Sequence, residues 1–162
     1  MLFRSVGMPG SGKTTVGKRL AMNMNREFID IDDCIARKAG ESIPEIFSQR
    51  GEAAFRALER DCVAEAAKSG GLVTATGGGT VLDPENMRAL MHNGRVYYLK
   101  RDIDKLSTAG RPLSSGNNAL EALYKTRHPL YSGYSDVCVD CNGSPESAAQ
   151  VIEEEFYEAA DY

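Results

Sequence analysis

Residues 7–14 read GMPGSGKT and match the pattern GxxxxGK[ST], which is typical of loops that bind nucleoside triphosphates. Glycines allow the backbone N–H groups to wrap closely around phosphate oxygens, and the next helix adds the positive end of its dipole. In such a loop Lys13 reaches the β- and γ-phosphates and the Thr14 hydroxyl is a ligand for Mg²⁺. A plain glycine turn with a surface lysine is disfavoured, because the motif lies between a predicted strand and a predicted helix. The motif therefore predicts a nucleoside triphosphate as the first ligand.

Two carboxylates in the segment FIDID could take part in phosphoryl transfer. Asp30 and Asp32 close the second predicted strand, where one can serve a metal ion and the other can orient an acceptor alcohol and take its proton. The same interpretation predicts that Asp33 caps the following helix. The alternative, that all these acids only cap that helix, stays open at this point.

Three consecutive glycines, Gly77, Gly78 and Gly79, follow the third predicted strand. Because glycine lowers local order, we expect that the backbone here approaches a ligand closely. Arg56 in FRALE and Arg127 in RHPLY supply guanidinium groups that can hold a carboxylate. Together with an aspartate for hydroxyl groups, this set suits a small polyhydroxy acid.

Each arginine also has a structural alternative. Arg56 could simply pair with Glu59 or Glu52 along its own helix, and Arg127 could end a helix, where the helix dipole favours a cation. The residues alone leave both alternatives open.

The surrounding pattern predicts alternating strands and helices. Five short apolar runs, LFRSVG, EFIDID, LVTAT, RVYYLK and DVCVD, are separated by segments of helical periodicity, which predicts a parallel sheet covered on both faces. Loops at the carboxyl ends of such strands form the binding site. The last helix is expected to bury Ala148, Val151, Ile152 and Phe156. The polar segment 102–118 is expected to be a mobile surface lid.

Length and composition fit one compact domain. The 162 residues suit a single domain spanning 1–162, and the net charge of −4 argues against nucleic acid and anionic membranes as partners. We expect a cytoplasmic monomer without a signal peptide or membrane span. The four cysteines are expected to be structural thiols. No guanine-reading NKxD is present, and the compact chain favours a kinase over a motor ATPase.

The segments GMPGSGKT, FIDID, FRALE, GGG, RPL and RHPLY occur in this order, and in this respect the chain resembles the shikimate kinases over essentially its whole length. The resemblance implies a nucleoside-monophosphate-kinase-like α/β fold: a three-layer P-loop kinase fold with a five-stranded parallel sheet flanked by helices. It implies transfer of the ATP γ-phosphate to the 3-hydroxyl of shikimate. It further implies Mg²⁺ as cofactor, ATP, ADP and shikimate as partners, and a place in aromatic amino-acid biosynthesis.

The resemblance also implies roles for individual residues. Those expected to bind the nucleotide are Gly10, Ser11, Gly12, Lys13, Thr14, Thr15 and Arg111. Those expected to bind the substrate, within a helical region at 32–61 and beyond it, are Asp32, Phe55, Arg56, Gly77, Gly78, Gly79 and Arg127. Asp32 is the implied base, with Lys13 and Arg111 as catalytic cations. Thr14 and Asp30 are the implied metal ligands.

The chain differs from the family in two places, and these differences keep other functions in view. The lid before Arg111 is several residues short, and the adenine loop CNGSPES lacks a basic residue. A poorly closed lid weakens stabilisation of the transferred phosphate. The alternatives are therefore another small-molecule kinase of the same fold, or a kinase-like nucleotide-binding protein of reduced activity.

Overall fold

A computed structural model describes residues 2–106 and 117–160 and contains one five-stranded sheet. All neighbouring strands run parallel, and with the strands numbered along the chain their order in the sheet is 2-3-1-4-5. This confirms the predicted fold class. The strands are β1 (Leu2–Val6), β2 (Phe28–Asp30), β3 (Val73–Ala75), β4 (Gly94–Lys100) and β5 (Val137–Asp140).

Six α-helices connect the strands or follow them in the described part of the chain. Their ends follow local signals: Ser42 and Glu45 form a reciprocal capping box, and the Asp83 carboxylate accepts the Glu85 N–H at 2.9 Å. The helices are α1 (Lys13–Asn23), α2 (Ile31–Ala39), α3 (Ile43–Lys68), α4 (Pro84–Met91), α5 (Asn117–Tyr134) and α6 (Pro145–Ala160). Short 3₁₀ turns cover Thr80–Leu82 and Ile103–Lys105.

Each face of the sheet has its own hydrophobic core, because successive strand residues point to opposite faces. In β4, Val96 and Tyr98 join the core under α2, α3, α4 and α5, whereas Tyr97 and Leu99 join the core under α1 and α6. The result is the expected three-layer arrangement, and its two cores fix the carboxyl ends of β1, β2 and β3 side by side.

Two of the helix-end predictions are wrong. The cap of α2 is Asp30 and not Asp33: β2 ends at Asp30, whose carboxylate accepts the Asp32 N–H, and Asp33 already lies inside the helix. Arg127 does not end a helix, because α5 continues through Pro129 to Tyr134. Proline usually stops a helix, and here the buried Tyr131 lies beyond it on the same helix.

One predicted core residue is exposed. Val151 on α6 has 53% of its surface exposed, and Ala149 is buried in its place beside Ala148, Ile152 and Phe156. The buried stripe of α6 therefore includes Ala149 and not Val151. All four cysteines are free thiols.

The predicted lid falls mostly in a part of the chain that the structure does not describe. Residues 107–116, and with them the candidate cation Arg111, lie outside the described residues. None of the described helices combines the length and the apolar character that a bilayer span needs.

Candidate active site

The phosphate loop joins β1 to α1 and depends on glycine at two left-handed positions. Gly10 has φ 77° and Gly12, the cap of α1, has φ 95°, a region that L side chains rarely adopt. Lys13 is buried, and its Nζ donates hydrogen bonds of 2.8 Å to the carbonyls of Gly7 and Met8. The ammonium group is thus held beneath the loop at the start of α1.

A cavity of about 320 Å³ opens above this loop. It is lined by Gly10, Gly12, Lys13, Thr14, Thr15, Asp30, Asp32, Thr76 and Arg101. Every described residue predicted to bind the nucleotide lines this cavity except Ser11. Ser11 is buried, and its hydroxyl has no hydrogen-bond partner in the described part of the protein.

Two oxygen groups suited to a hard cation meet at the edge of the cavity. The Thr14 hydroxyl donates to Oδ2 of Asp30 at 2.5 Å, and Oδ1 of the same carboxylate accepts the Asp32 N–H at 2.9 Å. Magnesium prefers such oxygens and completes its octahedral shell with water and phosphate. Within residues 2–106 and 117–160, no group of three or more His, Cys, Asp or Glu side chains could hold a metal by itself. The donor set therefore fits a nucleotide-bound Mg²⁺.

The glycine run lies against both the phosphate loop and the acidic segment. A Cβ placed on Gly77 would lie 2.8 Å from Oδ1 of Asp32, and one on Gly78 would lie 2.7 Å from the Pro9 ring. Both distances are too short for any side chain there. These glycines therefore let Asp32 and the phosphate loop approach the same stretch of backbone.

Gly79 likewise leaves space for the side chain of Arg56. A Cβ on Gly79 would lie 2.7 Å from Nη1 of Arg56, so the guanidinium occupies the space of a missing side chain. Arg56 donates to Glu59 at 2.9 Å and to Glu52 at 3.4 Å, as the structural alternative predicted. Glu59 is fully buried and also accepts the Thr80 hydroxyl at 2.9 Å. The ion pair therefore aims Arg56 at the glycine run.

Arg127 reaches the same region from α5. One turn after it, the Tyr131 hydroxyl donates to the carbonyl of Gly78 at 2.5 Å. Burial raises the pKa of Tyr131 to about 12, against the opposing effect of the nearby Arg127 and Arg56 guanidiniums. Both cations therefore lie close to one buried phenol. Arg127 and Arg56 thus both act on the phenol that contacts the glycine run.

Phe55 contributes to the core of the protein beneath this region. Its side chain is buried and packs against Phe47 with ring centroids 4.7 Å apart, while the Arg56 guanidinium lies 5.1 Å from the Phe55 ring centre. The aromatic ring thus supports one flank of Arg56.

The three glycines bring the predicted site residues together. Consecutive Cα atoms are about 3.8 Å apart, so residues 77–79 span at most about 8 Å of backbone. The sequence predicts that these glycines let a ligand approach the backbone, and the structure adds close contacts with Asp32, Pro9 and Arg56. The supporting roles of Glu59 and Tyr131 were not predicted from the sequence. The glutamate at the end of FRALE was a signal for the role of Glu59.

Comparison with known proteins agrees with this geometry. The family model described as shikimate kinase matches residues 9–156. A shikimate kinase from Francisella philomiragia subsp. philomiragia is 41% identical over 148 residues, covering 86% of this chain and 84% of the relative. One from Thermobifida fusca is 42% identical and covers 96% of this chain and 95% of the relative.

Solved structures agree as well. A shikimate kinase from Acinetobacter baumannii in complex with shikimate superposes with a TM-score of 0.93 at 35% identity, covering 98% of this chain and 93% of that one. The enzyme from Aquifex aeolicus gives a TM-score of 0.87 at 28% identity, covering 99% and 98%. By its sequence, its fold and the arrangement of its site, this chain belongs to the shikimate kinase family.

Proposed function

We propose that this protein is a shikimate kinase, which transfers the γ-phosphoryl group of ATP to the 3-hydroxyl of shikimate and yields shikimate 3-phosphate and ADP. One observation carries the proposal beyond family membership. Three consecutive glycines contact Asp32, the phosphate loop and Arg56 in turn, so an anion cradle and a site for an acid adjoin each other. We place the enzyme in aromatic amino-acid biosynthesis, acting as a monomer in the cytoplasm.

The nucleotide end of the site works by electrostatic stabilisation. Phosphoryl transfer passes through a loose transition state, in which charge on the transferred group must be held in place. The loop N–H groups from Gly10 to Thr15 and the N-terminus of α1 bind the phosphate oxygens. Lys13 supplies the cation at the β- and γ-phosphates.

The Thr14 hydroxyl and the Asp30 carboxylate would hold Mg²⁺, Asp30 through water molecules of the metal. When bound, the ion would neutralise charge on the β- and γ-phosphates. Asp30 also fixes the first turn of α2. Asp32 belongs to this turn and lines the same cavity.

The acceptor end recognises an acid and activates an alcohol. Arg56 and Arg127 bind the acceptor carboxylate by charge-assisted hydrogen bonds, and Glu59 keeps Arg56 in place. Asp32 accepts the proton of the attacking hydroxyl as the new O–P bond forms and the bond to the ADP oxygen breaks. The backbone of Gly77, Gly78 and Gly79 meets the other hydroxyl groups.

We propose a single domain over residues 1–162, in which residues 32–61 form the substrate-binding region and residues 102–118 the lid. Phe55 backs the substrate pocket from that region. Arg111 would close over the nucleotide as a cation for the transferred phosphate.

A coupled ADP-release assay tests the proposal. With Mg-ATP, shikimate should give turnover, whereas gluconate and nucleoside monophosphates should not. Turnover with gluconate or a nucleotide and none with shikimate would assign another small-molecule kinase. Titrations that show ATP and shikimate binding without product would instead assign a nucleotide-binding protein.

A further inference from the structure

Arg101 is a cation at the phosphate cavity that neither the glycine motif nor its helix supplies. It directly follows β4, which pairs with β1 through Val6 and Tyr98 just before the phosphate loop. The loop begins in contact with this strand: a Cβ on Gly7 would lie 2.6 Å from the carbonyl oxygen of Leu99. Arg101 therefore enters the site from the sheet and next to the loop.

The side chain of Arg101 is directed into the cavity. Nη1 lies 4.0 Å from the position of a Cβ on Gly12, the residue that begins α1. Nε is buried and has no hydrogen-bond partner in the described part of the chain. Lys100, the preceding residue, is exposed. A buried guanidinium nitrogen without an acceptor needs an explanation, and a ligand oxygen in the cavity would provide one.

The backbone on both sides of Arg101 is fixed. The Lys100 carbonyl accepts the Cys141 N–H at 2.8 Å, and the Asp102 N–H donates to the Asn142 side chain at 2.9 Å. The Asn142 side-chain amide in turn donates to the Asp102 carboxylate at 3.3 Å. The backbone at Arg101 is therefore positioned before any ligand binds, which lowers the entropy cost of binding.

The charges around the cavity favour a further cation. Among the lining residues, Asp30 and Asp32 carry two negative charges and Lys13 one positive charge, so without Arg101 the lining would have an excess of negative charge. A polyphosphate is itself strongly negative. Arg101 restores the balance, and its planar fork matches the oxygens of phosphate.

We propose that Arg101 binds the β- and γ-phosphates of the nucleotide from the β4 side of the loop, as a second cation beside Lys13. The inference rests on the proposed nucleotide site but not on the identity of the acceptor. Because Arg101 lies over Gly12 and the cavity that holds Thr14 and Asp30, its contact is with the phosphate chain and not with the adenosine.

Nucleotide titrations without any acceptor test this proposal. Binding of Mg-ADP and of Mg-AMP-PNP is measured by calorimetry, and binding of AMP by competition against ADP. Arg101→Met keeps the aliphatic part of the side chain. It should weaken the binding of ADP and AMP-PNP about tenfold or more and change the affinity for AMP less than about twofold. Arg101→Lys should recover part of the loss. Lys100→Met removes the same charge one residue away and should bind all three nucleotides like the unaltered protein.

Two results would overturn the proposal: unchanged affinity of Arg101→Met for ADP and AMP-PNP, or an equal loss for AMP. Thermal unfolding by circular dichroism confirms that each variant is folded. The test separates the two proposals. If Arg101→Met loses ADP affinity but the unaltered protein does not phosphorylate shikimate, the role of Arg101 is supported and shikimate as acceptor is refuted. If the unaltered protein turns over shikimate but Arg101→Met keeps its ADP affinity, only the role of Arg101 is refuted.

Discussion

The guanidinium of Arg56 donates a 2.9 Å hydrogen bond to Glu59, a carboxylate with no exposed surface. The Thr80 hydroxyl donates to the other oxygen of the same carboxylate. A buried ion pair of this kind contributes little net stability, because removing both charges from water offsets their attraction. Its value here is geometric, since it holds Arg56 against Gly79.

Glu59→Gln should therefore raise the KM for shikimate about tenfold or more and change kcat less, because Arg56 loses its fixed direction. The free energy of unfolding should fall by about 1–3 kcal/mol. Steady-state kinetics at saturating ATP measure KM and kcat, and urea unfolding measures the free energy of unfolding. Glu52→Gln, at an exposed carboxylate 3.4 Å from the same arginine, is the control and should be nearly neutral. An unchanged KM in Glu59→Gln would exclude the positioning role.

Gly79→Ala should displace the Arg56 guanidinium while leaving the fold intact. The new methyl group would overlap the flexible end of a side chain and not the backbone. We expect a rise in the KM for shikimate of about tenfold and little change in the melting temperature. Gly70→Ala is the matched control, since nothing lies within 4 Å of its Cβ position. Equal kinetics in the two variants would contradict the close approach of Arg56.

Asp32→Asn should stop catalysis without preventing nucleotide binding. Removal of a general base lowers the rate by about 10²–10⁴. The Kd for ADP should stay within about twofold, because Lys13 and the loop N–H groups are unaltered. Asp33→Asn changes the neighbouring exposed carboxylate and serves as the control. Near-normal turnover in Asp32→Asn would show that another group takes the proton.

The stability of the protein should fall at alkaline pH, in part because of Cys141. Burial raises the pKa of this thiol from 9.0 to about 12, with a further contribution from Asp140. The raised value means that its stabilising contribution is complete below about pH 9 and is lost as the pH rises toward 12. The difference in unfolding free energy between the unaltered protein and Cys141→Ala should therefore narrow from pH 8 to pH 10.5. A constant difference would contradict this, and Cys138→Ala, at an exposed site, is the control.

The sequence was most informative where function requires a local pattern. The phosphate loop, the strands and the order of the layers could be predicted because each depends on residues close together in the chain. Asp33 was the wrong cap because the exact end of a three-residue strand depends on its pairing with β3. The continuation of α5 past Pro129 and the hydrogen bond from Tyr131 to Gly78 depend on contacts distant in sequence.

The site of Arg101 illustrates the same limit. Nothing in the residues around it marks it as a phosphate ligand, since the cavity forms only when β4 lies beside β1. Glu59 was visible in the sequence only as an ordinary helical partner of Arg56. The complete burial of Glu59 lets it hold Arg56 in place. This burial follows from the packing of α3 against the turn at Thr80.

The double use of Asp30 has a consequence for the order of events during a catalytic cycle. One carboxylate oxygen accepts the Thr14 hydroxyl, and the other caps the helix that begins with Ile31 and Asp32. In the proposed site, arrival of the magnesium nucleotide would therefore act on the carboxylate that also fixes the start of the helix carrying Asp32. Occupation of one half of the site should prepare the other, and the two substrates should bind with positive synergy.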